Sequence, residues 1–341
     1  MVKKCRMFGL IVLIVITMVM AGCSSNRAPA GGSVSEGDYP NMEIRLGHLA
    51  TEASNYQQLA LKFKELVEER SGGKITVAIF PHRQLGGDRE LMEAMQINTV
   101  DMGIITVSPM SSFVPEFFVH DLPFMFEDWD HALAYVKSDV NKEMLQKTEA
   151  AGLKSFAMMA RGYQHLVNSK RPVHTPEDLK GLRIRVIESP YYVKGFEALG
   201  PQVVSMSFGE AFTAIQQGSI DGMENTIDVL HDERLYETTK YISSLNINFA
   251  FAVIMASKGI YDGWPPQVQE LISSAAVEAT DWINERNPQE EKKFYDILTK
   301  EKGMQLNEVD TSLFRPLVEG VYKEYIDQYG DEFVKKIEAL R

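Results

Sequence analysis

Cysteine is almost absent: Cys5 and Cys23 are the only two in 341 residues. That excludes a disulfide framework and any thiolate zinc site built on paired cysteines. Positive charge is also short, with 35 Lys and Arg against 47 Asp and Glu and a formal net charge of −12. No basic field exists to neutralise phosphates, which argues against a nucleic-acid partner. Catalytic signatures are missing as well. There is no Walker loop and no H-E-x-x-H, and Gly218-Ser219-Ile220-Asp221-Gly222 puts its serine one place early for G-x-S-x-G. Ser71-Gly72-Gly73-Lys74 matches S-x-x-K in letters, but two glycines make a turn where that motif needs a helix. The seven histidines show no i, i+4 pair, so no metal and no cofactor is expected.

What is present fits a folded, exported protein. Apolar residues make up 45% and charged residues 24%, near the averages of soluble globular chains, which removes disorder and coiled coil from consideration. Lys3, Lys4 and Arg6 form a basic start, and an uncharged run of 14 residues follows from Met7 to Met20. That run is short of the roughly 20 residues of a membrane-spanning helix and suits the hydrophobic region of a secretory signal. Ala21-Gly22-Cys23 then resembles a bacterial lipoprotein cleavage box, with Met20 where leucine is usual. On this reading residues 1–22 are a signal peptide and Cys23 becomes the lipidated N-terminus. Residues 23–40, rich in Ser, Gly, Asn and Pro, form a flexible tether. Loss of three basic residues lowers the formal charge from −12 to −15. The expected place is outside the cytoplasm, lipid-anchored on the outer face of the cytoplasmic membrane or periplasmic.

From residue 41 the pattern alternates. Glu43 to Leu49 and Lys74 to Phe80 read as strands, the second with Ile75, Val77 and Ile79 at period two. Tyr56 to Arg70 carries Leu59, Phe63, Leu66 and Val67 at helical spacing and stops at Ser71-Gly72-Gly73. Arg89 to Gln96 reads as a helix capped by Asp88, and Val100 to Val107 as a short strand. Asp128 to Ala151 reads as one long amphipathic helix, and Lys154 to Ala160 as a strand. After Gly162 the pattern restarts. Thr175-Pro176-Glu177-Asp178 combines a cap, an early proline and acids at the positive end of the helix dipole. Arg183 to Ile187 and Val203 to Met206 read as strands, Pro190 to Leu199 and Phe208 to Gln217 as helices stopped by Gly200 and Gly218. Phe249 to Ala256 is an apolar strand. The remainder reads as helical, from Val268 to about Lys302 and from Ser312 to Arg341, with Pro288 expected to bend or interrupt the first. The fold class is α/β, two sheet-and-helix lobes with a helical C-terminal third and no fixed-period repeat.

Four blocks carry a resemblance. They are Pro81-His82-Arg83-Gln84-Leu85-Gly86-Gly87-Asp88-Arg89-Glu90; Asp121-Leu122-Pro123-Phe124-Met125-Phe126; Thr175 to Val186, with Gly181-Leu182-Arg183-Ile184-Arg185-Val186 at its end; and Phe208 to Gly218 continuing through Asp221-Gly222-Met223-Glu224-Asn225. In this order and spacing the chain resembles the extracytoplasmic solute-binding protein of tripartite ATP-independent (TRAP) transporters, DctP type. The resemblance implies a two-lobed periplasmic-binding-protein fold, its lobes linked by crossover strands and a long helix. It places lobe I at residues 41–161 with about 251–290, and lobe II at 162–250 with about 291–341. It also implies no enzymatic activity, an organic acid anion as ligand in the cleft between the lobes, and a membrane permease as partner.

In such proteins the second arginine of G-L-R-I-R-V grips the ligand carboxylate, and here that is Arg185. A guanidinium suits the task, because its parallel donors match a planar carboxylate and its charge cannot be lost. By period two Arg183 and Arg185 face the same side, so only the resemblance selects between them. The resemblance further implies Asn225 as a ligand contact, Phe208 as a pocket aromatic, and Thr106, His48 and Glu52 as polar contacts. Without it, Asn225 is equally a cap for a helix from Thr226 to Leu235, and the other four are ordinary loop or core residues. Where many relatives carry a second arginine in G-F-R-H, Gly162-Tyr163-Gln164-His165 presents Gln164, which donates a hydrogen bond but brings no charge. A family histidine is also replaced, by Ile247. A ligand with one carboxylate and several hydroxyls, a uronate or aldonate, is therefore favoured, while the nearby Arg161 keeps a C4-dicarboxylate open. The rival readings are a ligand sensor for a membrane receptor and an exported carbohydrate-active enzyme. For the enzyme, Asp221 and Glu224 are the nearest carboxylate pair.

Overall fold

The structure is a computed structural model that describes residues 39–341. The leader, Cys23 and the tether through residue 38 lie outside the described residues. In the first half β1 (Met42–His48), α1 (Asn55–Arg70), β2 (Ile75–Phe80), α2 (Asp88–Gln96) and β3 (Met102–Thr106) follow the alternation read from the sequence. After α3 (Val107–Met110) and a 3-10 stretch at Pro115–Asp121 come α4 (Trp129–Lys137) and α5 (Asp139–Gln146), where one long helix was expected. Ser138 breaks it: its backbone is extended, and its hydroxyl accepts the Asn141 N–H at 3.2 Å, which starts a new helix. β4 (Leu153–Asn168) runs for 16 residues, far past the expected end at Ala160.

The second half opens with α6 (Pro176–Leu179), β5 (Arg183–Val186), α7 (Pro190–Leu199), β6 (Gln202–Ser205) and α8 (Phe208–Gln216). Gly200 and Gly218 end α7 and α8 in the left-handed region, at φ of 101° and 68°. β7 (Gly222–Thr226) and α9 (Ile227–Asp232) follow, so Asn225 lies in a strand and does not cap the helix. The chain continues through β8 (Tyr241–Ser244), β9 (Phe249–Ser257), α10 (Lys258–Asp262) and α11 (Pro266–Asp296). It ends with β10 (Gln305–Glu308), α12 (Glu319–Tyr329) and α13 (Glu332–Glu338). α11 spans 31 residues without interruption at Pro288.

The main sheet has the order β2-β1-β3-β9-β4-β7-β5-β6. β1 pairs in parallel with β2 and β3, and β5 in parallel with β6 and β7, while β9 and β4 run antiparallel through the middle. The two halves thus repeat one motif, β2-β1-β3 from one edge and β6-β5-β7 from the other, and the likeness extends to single side chains. Arg45 closes onto Asp101 through its backbone N–H (2.8 Å) and Nε (3.1 Å), and Arg183 closes onto Asp221 in the same way (2.9 and 3.1 Å). Fixed-period reading misses this because the two pairs are separated by 56 and 38 residues.

One apolar core packs α1 and the first part of α11 on β1 and β9, and another packs α8 and α9 on β7. A third runs from α4 and α5 to α7 and the C-terminal helices. Those C-terminal helices touch both halves: Ile337 O contacts His131 Nε2 at 2.9 Å, and Gln328 accepts from Tyr191 at 3.2 Å.

β4 slips register against β9 between Ala160 and Gly162. Gly162 takes φ of 123°, and a Cβ there would lie 2.8 Å from Glu291 Oε1 and 3.2 Å from the Trp129 ring. Gly162→Ala is therefore expected to cost about 2–4 kcal/mol, through left-handed strain and overpacking together. The measurement is the urea midpoint at constant m-value, and an unshifted midpoint would show that the bulge accepts a side chain.

Candidate functional site

The C-terminal ends of β1, β3, β5 and β7 open on one cavity of about 670 Å³. Ligands gather at this end of α/β sheets because loops and helix N-termini converge there, and the volume suits a small molecule. Arg185, Asn225, Gln164, Phe208, Arg161 and Thr106 all line it.

Arg185 is 3% exposed, and its surroundings differ from those of Arg183. Arg183 points to the half-exposed edge and is held by Asp221, whose carboxyl it keeps down at about 2. Arg185 stands at the end of β5, with Nε donating to Met206 O at 3.0 Å and Nη1 3.6 Å from Glu224 Oε1. Its terminal nitrogens make no hydrogen bond among the described residues, so the fork is open to a ligand. Glu224 is 1% exposed and accepts the Ile187 N–H at 3.2 Å. Burial pushes its carboxyl up to about 7, although Arg185 opposes the shift.

The neighbouring side chains have their acceptors occupied and their donors left over. Asn225 Oδ1 accepts the Thr226 N–H at 2.9 Å, and Gln164 Oε1 accepts the Tyr192 hydroxyl. Both amides therefore keep NH₂ groups for the cavity. Arg161 is the extra residue of the β4 bulge, which re-aims it away from simple alternation. It donates to Thr226 Oγ1 at 3.0 Å, stacks 4.8 Å from the Tyr56 ring and lies 3.8 Å from Asp228, so much of its charge is balanced within the protein. Thr106 shares a 2.8 Å hydrogen bond with the Tyr56 hydroxyl.

Two candidates fall outside this group. His48 is fully buried and does not line the cavity; its Nε2 meets Gln57 Oε1 at 2.8 Å, and burial lowers its pKa. Glu52 is exposed on the loop and also stays off the lining. The loop turns after β1 so that Leu49 to Thr51, not these two side chains, border the space. Asp88 corrects another expectation. Gly87 holds the cap position of α2, while Asp88 Oδ1 accepts the Thr106 N–H at 3.1 Å and ties α2 to β3. Burial raises Asp88 to about 6.

Sequence reading missed Tyr56, Arg83, Glu90, Ser207, Glu210 and Asp232 as lining residues. Only the Ser207 and Glu210 pair had a legible signal, a capping box whose carboxylate accepts the Ser207 N–H at 3.0 Å. The pair Asp221 and Glu224 is dispersed: neither lines the cavity, one is bound to Arg183 and the other stands behind Arg185. Among the described residues no cluster of three or more His, Cys, Asp or Glu could hold a metal ion.

A family model described as bacterial extracellular solute-binding protein, family 7 (DctP), matches residues 46–328. The chain belongs to this family. This DctP-type protein is 29% identical over 298 residues to the 2,3-diketo-L-gulonate-binding periplasmic protein YiaO of Escherichia coli, covering 86% of this chain and 88% of the relative. It is similar to a TRAP periplasmic solute-binding protein from Polaromonas sp. JS666 bound to D-erythronate, with TM-score 0.84 and 31% identity over 87% and 98% of the two chains. A further TRAP periplasmic solute-binding protein, from Shewanella oneidensis with bound succinate, gives TM-score 0.84 and 27% identity over 89% and 99%. The two-lobed fold is the one these proteins share. The family consists of extracytoplasmic transport binding proteins, so this DctP-type chain captures its solute outside the cytoplasm.

Proposed function

We propose that the protein binds an organic acid anion between lobes at residues 41–161 with about 251–290 and 162–250 with about 291–341, and passes it to a TRAP membrane permease. The observation that carries this reading is the buried, open fork of Arg185 at the cavity wall. A desolvated guanidinium with unused donors favours a planar carboxylate over water. Around it the amides of Asn225 and Gln164 supply donors, and Glu90, Glu188 and Glu233 on the lining supply acceptors for hydroxyls. A monocarboxylate with several hydroxyls, an aldonate or uronate, suits this balance better than a dicarboxylate, although the relatives include both kinds, 2,3-diketo-L-gulonate and D-erythronate on one side and succinate on the other. Cys23 as a lipid anchor would keep the protein near the permease.

A thermal-shift screen of the chain from residue 24 against aldonates, uronates, C4-dicarboxylates, keto acids and sialic acid tests the reading. Ligand at a thousandfold excess over Kd adds about 4 kcal/mol, so a sugar acid is expected to raise Tm clearly. No shift with any organic acid overturns the proposal. Gln164→Arg adds the charge that Gln164 lacks and is expected to move preference toward succinate over an aldonate by about tenfold, measured as the ratio of the two Kd values. An unchanged ratio would remove Gln164 from the specificity of the site.

A further inference from the structure

Arg83 lines the cavity from the loop between β2 and α2, on the side opposite Arg185. Its guanidinium has no ion pair or hydrogen bond among the described residues, although Asp88, Glu90 and Glu210 line the same space. Nη1 is buried and without a partner. Native proteins rarely leave a buried guanidinium nitrogen unsatisfied. The backbone is held in place at some cost: His82 and Arg83 both adopt left-handed conformations, at φ of 55° and 60°. Two hydrogen bonds clamp them, His82 N–H to Ala50 O at 2.9 Å and Arg83 N–H to His48 O at 3.2 Å. Consecutive non-glycine residues in this region are uncommon, and such conformations concentrate at ligand sites.

The clamp lays the Arg83 guanidinium across the cleft, 5.8 Å above the Phe208 ring at the start of α8. Arg185 donates to Met206 O, two residues before Phe208. Two guanidinium groups from opposite lobes therefore border the same short segment, which is also the positive end of a nine-residue helix.

We propose that Arg83 is a ligand contact that completes the carboxylate clamp from the opposite lobe. This rests on the reading of Arg185 as the carboxylate anchor. Because both groups adjoin one segment, they bind neighbouring atoms of the ligand, the carboxylate itself or the oxygen on the adjacent carbon. They do not bind the two distant ends of a long diacid. Glu210 caps the helix terminus between them and Asp88 and Glu90 share the lining, so the two arginines carry their charge among acids before a ligand enters. An anion held by both guanidinium groups contacts both lobes at once, and that differential interaction favours the closed cleft.

The test uses D-erythronate, L-gulonate, D-galacturonate and succinate. The acid that raises the wild-type Tm most is taken to calorimetric Kd measurement at low and high salt, with wild type, R83Q and R83K. R83Q is expected to bind about tenfold or more weakly, with a shallower salt dependence because one interacting charge is gone. R83K, which keeps the charge but loses the fork, is expected to fall between. A residue that only shaped the loop would change the unliganded Tm and leave the salt dependence as it was. An R83Q Kd within about twofold of wild type, with wild type binding well, overturns the role of Arg83 and leaves the Arg185 reading standing. No shift of the wild type by any of the four acids overturns both. If R83Q fails to fold, R83K decides: a loss of about threefold or more supports the contact, and an unchanged Kd overturns it.

Discussion

Arg185→Ala is expected to weaken acid binding by at least about a hundredfold and to destabilise the free protein by about 1–3 kcal/mol. The first effect is loss of a desolvated charge-assisted contact to the ligand carboxylate. The second comes from Glu224, which is 1% exposed and would lose the guanidinium that stands 3.6 Å from its Oε1. Without the guanidinium the Glu224 carboxyl, already raised to about 7, keeps its proton, so the cost is that of the lost partner and packing and not of a bare buried charge. Calorimetry gives the first number and urea unfolding the second. Arg183→Ala, two residues away, is the contrast. Its partner Asp221 keeps the backbone N–H of residue 183 at 2.9 Å and Lys170 at 3.5 Å, and the Arg183 side chain is 38% exposed. It is expected to lose under about 1 kcal/mol of stability and to bind acids unchanged. If Arg183→Ala abolished binding and Arg185→Ala did not, the choice of anchor would be reversed.

The contribution of two buried carboxyls to stability is expected to fall as pH rises from about 4 to 7, against an opposing rise from the buried His120 and His165, both lowered to about 4 by burial. Asp121 is fully buried and raised to about 7, and Glu224 is raised to about 7, in both cases chiefly by desolvation. A carboxyl whose folded pKa lies above its unfolded value holds its proton more tightly in the native state. Between the two values the folded protein binds more protons than the unfolded chain, so the unfolding free energy decreases with increasing pH. Each group contributes a loss on the order of 3 kcal/mol across that window. Asp121→Asn keeps an acceptor for the Ser189 hydroxyl, which lies 2.6 Å from Oδ2, and is expected to remove that group's share of the fall. Glu224→Gln is expected to do the same. The measurement is the urea midpoint at pH 5, 6 and 7 for wild type and both variants. Variant profiles that keep the wild-type slope would show that the two carboxyls are already ionised in the folded state across this window.

Helix stops and starts were legible because they rest on single residues with local conformational demands. Gly200 and Gly218 end α7 and α8 where left-handed backbone is needed, and the acids at Glu177 and Asp178 open α6. Two misreadings share the opposite cause. Helical spacing runs unchanged through Ser138, yet the serine hydroxyl caps a second helix. Likewise, an aspartate before a helix suggests a cap at Asp88, yet its carboxylate is drawn to the Thr106 N–H, 18 residues away in sequence.

The candidate site divides along the same line. Local spacing and block resemblance marked out the Arg183 to Val186 strand, Asn225, Phe208 and the place of Gln164. Within the strand, period two left Arg183 and Arg185 equivalent. Their difference arises from what lies beside each: Asp221 beside one, and Met206 and Glu224 beside the other. Arg161 reaches the cavity through a bulge that alternation cannot express, and Arg83 does so through a left-handed turn pinned by carbonyls of the preceding loop. The sequence by itself determined most of the elements, the family and the kind of chemistry, because those depend on residue type and near neighbours. Only the tertiary structure decided which charges are buried, which are already paired and which remain open to a ligand, because desolvation and partnership are set by segments distant in the chain.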